Sequence, residues 1–196
     1  QDYLVIKMMG LQEMQKLTGG QLYGADATFN AVSIDTRTLQ AGELFIAISG
    51  DNFNGNSFVN AAVEKQAVAA IITEKIEVTV PTLQVEDSRI ALGKLGASNR
   101  QLSDARVIAL TGSQGKTTVK EMTANILAHC GEVLKTKGNL NNDYGVPLTL
   151  IKLEEKHQFA VIELGANGPG EIAYISELTK PHVVHITNIA PTHLEG

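Results

Sequence analysis

The stretch that decides the fold is RVIALTGSQGKTTVKEMTANILAHC, residues 106–130. An apolar, β-branched run ends at Leu110, a turn with two glycines follows, and an amphipathic pattern begins near Lys116. Strand, glycine turn and helix in this order are typical of a phosphate-binding loop, because glycines let an anion approach the backbone and a helix N-terminus favours negative charge. We interpret residues 111–118 as such a loop, with a plain turn and helix cap as the alternative.

The loop is shorter than the standard pattern G-x-x-x-x-G-K-[ST], since Leu110 stands where that pattern has its first glycine. In the phosphate-loop interpretation, Lys116 contacts the β and γ phosphates and the Thr117 hydroxyl binds Mg²⁺. The residues expected to surround the phosphates are Thr111, Gly112, Ser113, Gln114, Gly115, Lys116, Thr117 and Thr118.

Composition limits the classes of protein to consider. The 196 residues are 43% hydrophobic, which is enough for a core, and 16 basic against 21 acidic residues give a net charge of -5 with no basic run. Nucleic acid is therefore not an expected partner. No apolar stretch approaches the roughly 20 residues that span a membrane, and the N-terminus does not resemble a signal peptide. We expect a soluble, cytoplasmic monomer in which the single cysteine, Cys130, is a small buried side chain.

The pattern of apolar runs predicts an α/β fold in two domains. Residues 1–86 alternate short strands with two helices and form a small mixed α/β domain. Residues 87–196 begin with a helix and continue with three strands separated by two helices, which predicts a parallel, doubly wound sheet. Because three strands are few for this architecture, we expect only the first part of a longer domain.

Three polar residues follow strands of the second predicted domain. Glu163 ends one strand, and Asn188 and His193 follow the next. Ligands collect at the carboxyl edge of a parallel sheet, so these side chains should lie near the loop. Transfer of a phosphoryl group to an anionic acceptor requires metal ions, since each unit repulsion at about 4 Å costs roughly 4 kcal/mol. Glu163 is either a metal ligand or half of a structural salt bridge, and His193 either a metal ligand or a solvated loop residue.

Two further segments carry predictions. Residues 137–147 hold four amide or acid side chains that line either a polar cleft or an asparagine-rich turn: Asn139, Asn141, Asn142 and Asp143. The helix after the loop should bury Val119, Met122, Ile126, Leu127 and Cys130. His185, in the middle of the last strand, reads as a hydrogen-bonded core residue.

Four ordered segments, TGSQGKTT, GNLNNDYGVP, ELGANGPGEI and NIAPTHLEG, resemble signatures of the Mur ligase family. The short loop G-x-x-G-K-[ST] is the usual ATP site of that family. The form ELGANGPGEI is similar to the branch that adds D-alanyl-D-alanine to UDP-N-acetylmuramoyl-tripeptide (UDP-MurNAc-tripeptide). The resemblance implies an ATP-dependent amide ligase of peptidoglycan synthesis that uses Mg²⁺ and proceeds through an acyl phosphate.

The resemblance also implies roles for individual residues. Lys116 would contact the phosphates, Thr117 and Glu163 would coordinate magnesium, His193 would help to hold a second magnesium, and Asn142 would face the catalytic cleft. SIDTRTLQAGELFIAISGDNF resembles the UDP-binding segment of the family. The residues that would surround the UDP-sugar are Ile34, Asp35, Thr36, Arg37, Asp51, Asn52 and Phe53.

The departures from the family pattern are also informative. Asn54 and Asn56 stand near positions where the family often has histidine after aspartate, and the family's bridging lysine is expected beyond residue 196. We therefore expect this chain alone to bind the nucleotide sugar without completing the reaction. Two alternatives stay open: a different ligase of the family, adding diaminopimelate, lysine or glutamate, and a non-catalytic nucleotide-sugar-binding module.

Overall fold

The computed structural model describes residues 9–50, 53–166 and 168–190. Internal contacts divide the chain into two units, residues 1–95 and 96–196. The domain boundary at residue 86 stays a prediction. Within the described ranges, no helix is long and apolar enough to cross a membrane.

The first unit is a mixed five-stranded sheet with small helices. Its elements are β1 (Met9–Gly10), α1 (Leu11–Thr18), β2 (Gln21–Tyr23), β3 (Thr28–Phe29), β4 (Val32–Ser33), β5 (Leu44–Ile46), β6 (Ser49–Gly50), β7 (Phe53–Asn54), a 3₁₀ turn (Gly55–Phe58), α2 (Val59–Glu64), β8 (Ala69–Ile72) and β9 (Thr82–Gln84). The strand order is β2-β9-β8-β5-β4, with β2 antiparallel to β9 and the other pairs parallel. Strands β1 and β3, and β6 and β7, form two small antiparallel pairs.

Helix α3 (Ser88–Leu102) crosses the point where the two units divide, and the second unit continues with a parallel sheet. Its elements are β10 (Arg106–Thr111), α4 (Lys116–Leu127), β11 (Val133–Lys135), α5 (Gly145–Leu150), β12 (Phe159–Glu163), α6 (Glu171–Thr179) and β13 (Val183–Ile186). The strand order is β11-β12-β10-β13, and all pairs are parallel. The sequence predicted three of these strands and missed β11, which has only three residues.

Helices cover both faces of the second sheet. Successive strand residues point to opposite faces, so Val107 and Ala109 pack with α5 and α6, while Ile108 and Leu110 pack with α4. This arrangement confirms the predicted α/β, doubly wound fold. From β10 the chain continues to β11 and β12 on one side of this strand and then to β13 on its other side. The carboxyl end of β10 is therefore the switch point of the sheet, where ligands bind in this architecture.

The buried face of α4 differs from the predicted one. Lys120 and Ala124 are buried, whereas Met122 and Ile126 are 60% and 65% exposed, and Cys130 is also exposed. The apolar pattern predicted the wrong face of the helix, because Lys120 and not an apolar residue occupies the position that faces the sheet, one turn before Ala124. The predicted burial of Met122, Ile126 and Cys130 was therefore wrong.

His185 is likewise exposed, in contrast to the core position that we predicted. Among the described strands, β13 pairs only with β10 and lies at the edge of the sheet. Its four residues are exposed in the part of the chain that the structure describes.

Candidate functional site

The loop after β10 ends on a helix N-terminus that no described side chain caps. Gly112 has φ +132°, and a Cβ there would lie 2.2 Å from Thr187 Oγ1 and 2.9 Å from the backbone oxygen of Asn188. Gly115, with φ +79°, is the N-cap of α4, and it makes no side-chain cap. The first N–H groups of a helix have no partners inside the helix. This end of α4 is therefore open to an anion.

The segment after β13 fixes the loop. Ser113 Oγ donates a hydrogen bond to the Ala190 carbonyl at 2.8 Å and accepts one from the Ala190 N–H at 2.9 Å. The Gln114 N–H donates to Asn188 Oδ1 at 2.9 Å. Asn188, which the sequence placed at this edge of the sheet, therefore holds the loop in position.

Lys116 lies across the loop that it follows. Its Nζ donates to the Gly112 carbonyl at 2.6 Å, which places the ammonium beside the loop backbone. A compact positive charge at this point suits a polyphosphate, because an ammonium interacts with phosphate oxygens as a point charge. This placement is consistent with the role that we predict for Lys116.

Glu163 is the last residue of β12 and is only 3% exposed. Its Oε2 accepts from the Thr117 hydroxyl at 3.1 Å, and its Oε1 accepts from Asn141 Nδ2 at 2.9 Å. Its N–H donates to Thr136 Oγ1 at 2.9 Å. Both carboxylate oxygens and the backbone are therefore engaged, and the orientation of the carboxylate is fixed.

A buried lysine that the sequence did not identify completes this cluster. Lys120 is 1% exposed, and its Nζ lies 3.5 Å from Glu163 Oε2 and 3.4 Å from Glu121 Oε1. The structure thus contains a buried salt bridge at Glu163 as well as the adjacent Thr117 hydroxyl. Lys120 is four residues after Lys116 and three after Thr117, and this helical spacing was the available signal.

The oxygens of Thr117 and Glu163 have the chemistry and spacing that a magnesium ion needs. Mg²⁺ binds oxygen octahedrally at 2.0–2.1 Å, so two adjacent ligands lie about 2.9 Å apart, close to the 3.1 Å between these atoms. No group of three histidine, cysteine, aspartate or glutamate side chains suitable for a metal occurs in the described ranges. Mg²⁺ commonly takes one or two protein oxygens and completes its shell with water and phosphate, so the residues fit this ion.

Asn142 and His193 were both predicted to lie at the site, and the structure describes only the first of them. Asn142 Oδ1 accepts from the Gly145 N–H at 3.0 Å and thereby holds the start of α5, whereas Asn141 contacts Glu163. His193 lies outside the described residues. The roles assigned to both residues stay predictions.

The first unit contains a cavity of about 440 Å³. Five of the seven residues predicted to surround a nucleotide sugar line it, and the other two, Asp51 and Asn52, lie outside the described residues. The lining residues are Ile34, Asp35, Thr36, Arg37, Phe45, Phe53, Gly55 and Phe58. Phe45, Gly55 and Phe58 were not among the predicted site residues.

An ion pair forms one wall of this cavity. Arg37 Nη2 lies 2.7 Å from Asp35 Oδ2, Arg37 Nε lies 2.9 Å from Asp35 Oδ1, and the Arg37 N–H also donates to Oδ1. The hydrogen bonds from Arg37 lower the pKa of Asp35 to about 2 from an ordinary value of 3.8. The Arg37 side chain is 87% exposed, so the guanidinium can also reach an anionic ligand.

Two phenylalanines form another wall. The rings of Phe53 and Phe58 stack with their centroids 5.4 Å apart and their planes 19° apart. Asn54 Oδ1 accepts from the Asn56 N–H, and Asn56 Nδ2 donates to Thr73 Oγ1 at 2.7 Å. The two asparagines that depart from the family pattern therefore hold the turn that carries Phe58.

In comparisons with known proteins, each half of the chain matches a model of the same protein family. Residues 28–109 match a family model described as the Mur ligase family catalytic domain, and residues 110–196 match the Mur ligase middle domain. The chain is 48% identical to UDP-N-acetylmuramoyl-tripeptide–D-alanyl-D-alanine ligase of Escherichia coli (strain K12), over 95% of this chain and 41% of that protein. The Bacillus subtilis (strain 168) ligase of the same name is 37% identical over 94% of this chain and 41% of its own length.

Solved structures give the same relationship. MurF from Acinetobacter baumannii matches 96% of this chain and 43% of its own, with a TM-score of 0.89 and 40% identity. The Thermotoga maritima MurF ligase, solved in complex with ADP, matches 84% of this chain and 39% of its own, with a TM-score of 0.77 and 32% identity. The chain thus spans about 41% of the length of the curated relatives that it matches. Two family models in succession and this likeness in sequence and structure show that the chain belongs to the Mur ligase family and is a homologue of MurF.

Proposed function

We propose that this chain is the nucleotide-sugar-binding unit and the phosphate-loop part of an ATP-dependent ligase that adds D-alanyl-D-alanine to UDP-MurNAc-tripeptide. The observation that carries the proposal is that an open loop at the end of β10 is followed directly by Thr117, whose hydroxyl oxygen lies 3.1 Å from Glu163 Oε2. Phosphate and metal sites of this kind lie at the carboxyl edge of a parallel sheet.

ATP is the proposed nucleotide of the second unit. The N-terminus of α4 and the Lys116 ammonium provide positive potential where the β and γ phosphates would lie. The Thermotoga maritima relative was solved with ADP, which supports the same ligand here. Anchoring of Ser113 and Gln114 by the segment after β13 keeps the loop in one conformation before the nucleotide arrives.

Magnesium is the proposed metal, held by Thr117 and Glu163 and, as a further prediction, by His193 at a second ion. When bound, the metal supplies charge that offsets the repulsion between the phosphates and an anionic acceptor. The contribution of the protein is to fix the oxygens. Asn141 and Lys120 hold the Glu163 carboxylate, and the first turn of α4 holds the Thr117 hydroxyl.

The cavity of the first unit is the proposed site of the UDP-sugar. Its volume of about 440 Å³ lies within the range of small-molecule sites, which combine an apolar lining with a few placed polar groups. The Phe53 and Phe58 rings offer the apolar surface and the exposed Arg37 guanidinium offers a partner for a phosphate.

The proposed reaction has two steps. The terminal carboxylate of the tripeptide attacks the γ-phosphorus of ATP, which forms an acyl phosphate and releases ADP. The amine of D-alanyl-D-alanine then attacks the acyl carbon, loses a proton to solvent, and displaces inorganic phosphate as the peptide bond forms. The Lys116 ammonium stabilises negative charge on the transferred group in the first step.

A substrate panel on the whole protein tests the proposal. Phosphate release that depends on UDP-MurNAc-tripeptide and D-alanyl-D-alanine is expected, with little or none when diaminopimelate, lysine or glutamate replaces the dipeptide. Preference for one of those amines would assign the chain to another branch of the family. Lys116→Ala should abolish turnover, and unchanged turnover would favour a binding module whose loop has no catalytic role.

A further inference from the structure

The position of Lys120 has a cost that its packing alone does not explain. It occupies the sheet-facing side of α4 with Ala124, and it is 1% exposed. A buried ammonium is expensive unless it is paired, and an apolar side chain of similar length would fill the same space. The position is therefore informative about its charged partners.

Lys120 lies between two carboxylates with different surroundings. Glu163 is 3% exposed, and its Oε2 lies 3.5 Å from Lys120 Nζ. Glu121 is 43% exposed, lies 3.4 Å from the same ammonium, and pairs through its other oxygen with Lys135. Because Lys135 already neutralises Glu121, the charge of Lys120 is available mainly to Glu163. The four groups alternate in sign from the surface to the carboxylate.

The same oxygen of Glu163 has two roles. Oε2 accepts the hydrogen bond from the Thr117 hydroxyl and also lies beside the Lys120 ammonium. A metal held between Thr117 and Glu163 would therefore have a positive charge beside the same carboxylate oxygen that binds it. Such a charge compensates Glu163 while the site holds no metal and repels a second cation.

From this geometry, and resting on the proposed metal site, we propose that Lys120 is a positioning residue for Glu163. It acts as a built-in counter-ion that keeps the carboxylate oriented without metal and lowers the affinity of the site for a divalent cation. The consequence is a site that is folded when empty and releases its metal readily.

The test uses Mn²⁺ as the probe, with its affinity for the chain measured by electron paramagnetic resonance and the melting temperature measured with and without Mn²⁺. Lys120→Met removes the charge and retains most of the volume. We expect a lower melting temperature without metal, a larger Mn²⁺-induced rise, and about fivefold or more tighter Mn²⁺ binding. Lys152→Met is the matched control: it removes the same charge from an exposed position of the second unit outside this network and should change Mn²⁺ affinity less than about twofold.

The double variant Lys120→Met, Glu163→Gln separates pairing from packing. It leaves no buried carboxylate uncompensated, so it should recover much of the metal-free melting temperature lost in Lys120→Met. If Lys120→Met does not fold and the double variant does, the counter-ion role is supported. Failure of both to fold would overturn it, since Lys120 would then be needed for reasons other than the charge of Glu163.

The outcomes also distinguish this inference from the proposed function. If the unsubstituted chain does not bind Mn²⁺, the proposed metal site is wrong and the role of Lys120 toward a metal is overturned with it. If the unsubstituted chain binds Mn²⁺ and Lys120→Met binds it equally well or more weakly, the metal site stands and the inference about Lys120 is overturned.

Discussion

The Thr117 hydroxyl donates to Glu163 Oε2 at 3.1 Å, and this bond joins the first turn of α4 to the last residue of β12. The two residues are 46 positions apart in sequence. Their proximity follows from the parallel pairing of β10 with β12, in which Leu110 lies opposite Glu163. The sheet register therefore brings a hydroxyl of the loop helix to a buried carboxylate.

Replacing the Thr117 hydroxyl should remove the metal dependence of nucleotide binding. Thr117→Val keeps the shape of the side chain but loses the oxygen. The factor by which Mg²⁺ increases the affinity for ADP should therefore be at least about tenfold smaller in this variant than in the unsubstituted chain. Thr117→Ser retains the hydroxyl and is the control, with binding within about threefold of the original. Calorimetric titration with ADP, with and without Mg²⁺, measures both. A Thr117→Val variant that keeps its full response to Mg²⁺ would refute the assignment.

The two positive-φ glycines of the loop should respond differently to alanine. At Gly115 a Cβ meets no atom within 4 Å, so Gly115→Ala should cost only the left-handed backbone penalty of about 1–2 kcal/mol. At Gly112 a Cβ would collide with Thr187 and Asn188, and we expect Gly112→Ala to cost about 3 kcal/mol or more, because the clash adds to the backbone strain. Urea unfolding gives both values, and equal costs would contradict the close approach seen here.

Local periodicity explains why much of the second unit could be predicted. The strand, loop and helix of residues 106–127 follow from an apolar run, two glycines and a helical pattern, and each of these signals is contained in consecutive residues. Lys120 could not be found in this way, since a lysine on an amphipathic helix is usually solvated. Its burial depends on Glu163, which a different strand supplies.

The contacts of the polar loop show the same limit. Composition identified a cluster of asparagines, but whether Asn141 or Asn142 contacts Glu163 is decided by the start of α5, which was not predicted. In the first unit, the family resemblance located Phe53, while Phe58 became visible only when the 3₁₀ turn brought its ring onto that of Phe53. Tertiary packing, which consecutive residues do not encode, selects the partner in each case.

The aromatic pair of the cavity should contribute to nucleotide-sugar binding. Phe58→Ala removes one ring of the stack and leaves Phe53 without its neighbour. Stacking of a nucleobase on an aromatic side chain contributes about 1–3 kcal/mol by alanine substitution, so we expect roughly tenfold weaker UDP binding. ADP binding at the loop of the second unit serves as the internal control and should not change. Fluorescence or calorimetric titration with UDP measures the effect, and unaltered UDP affinity would exclude Phe58 from the site.

The ion pair that also lines this cavity gives a prediction about pH. Hydrogen bonds from Arg37 lower the pKa of Asp35 to about 2, below its ordinary value of 3.8. A carboxylate whose folded pKa is depressed stabilises the fold above its unfolded pKa, and this contribution disappears as the pH falls through the folded value. The difference in unfolding free energy between the unsubstituted chain and Asp35→Asn should therefore be constant above pH 3.8 and shrink toward pH 2. Its size should be modest, because the Arg37 side chain is 87% exposed.

The cause of that shift can be tested directly through Arg37→Gln. This variant keeps a hydrogen-bonding side chain but removes the positive charge, so the pKa of Asp35 should return toward 3.8. Carboxyl-carbon NMR titration of Asp35 in both proteins measures the change without depending on global unfolding. The same variant should weaken UDP binding if the exposed guanidinium contacts a phosphate. The matched control is Lys65→Gln, which removes a charge that lowers the pKa of Asp35 less than Arg37 does. If the titration of Asp35 is the same in the unsubstituted chain and in Arg37→Gln, the ion pair does not hold this wall of the cavity in solution.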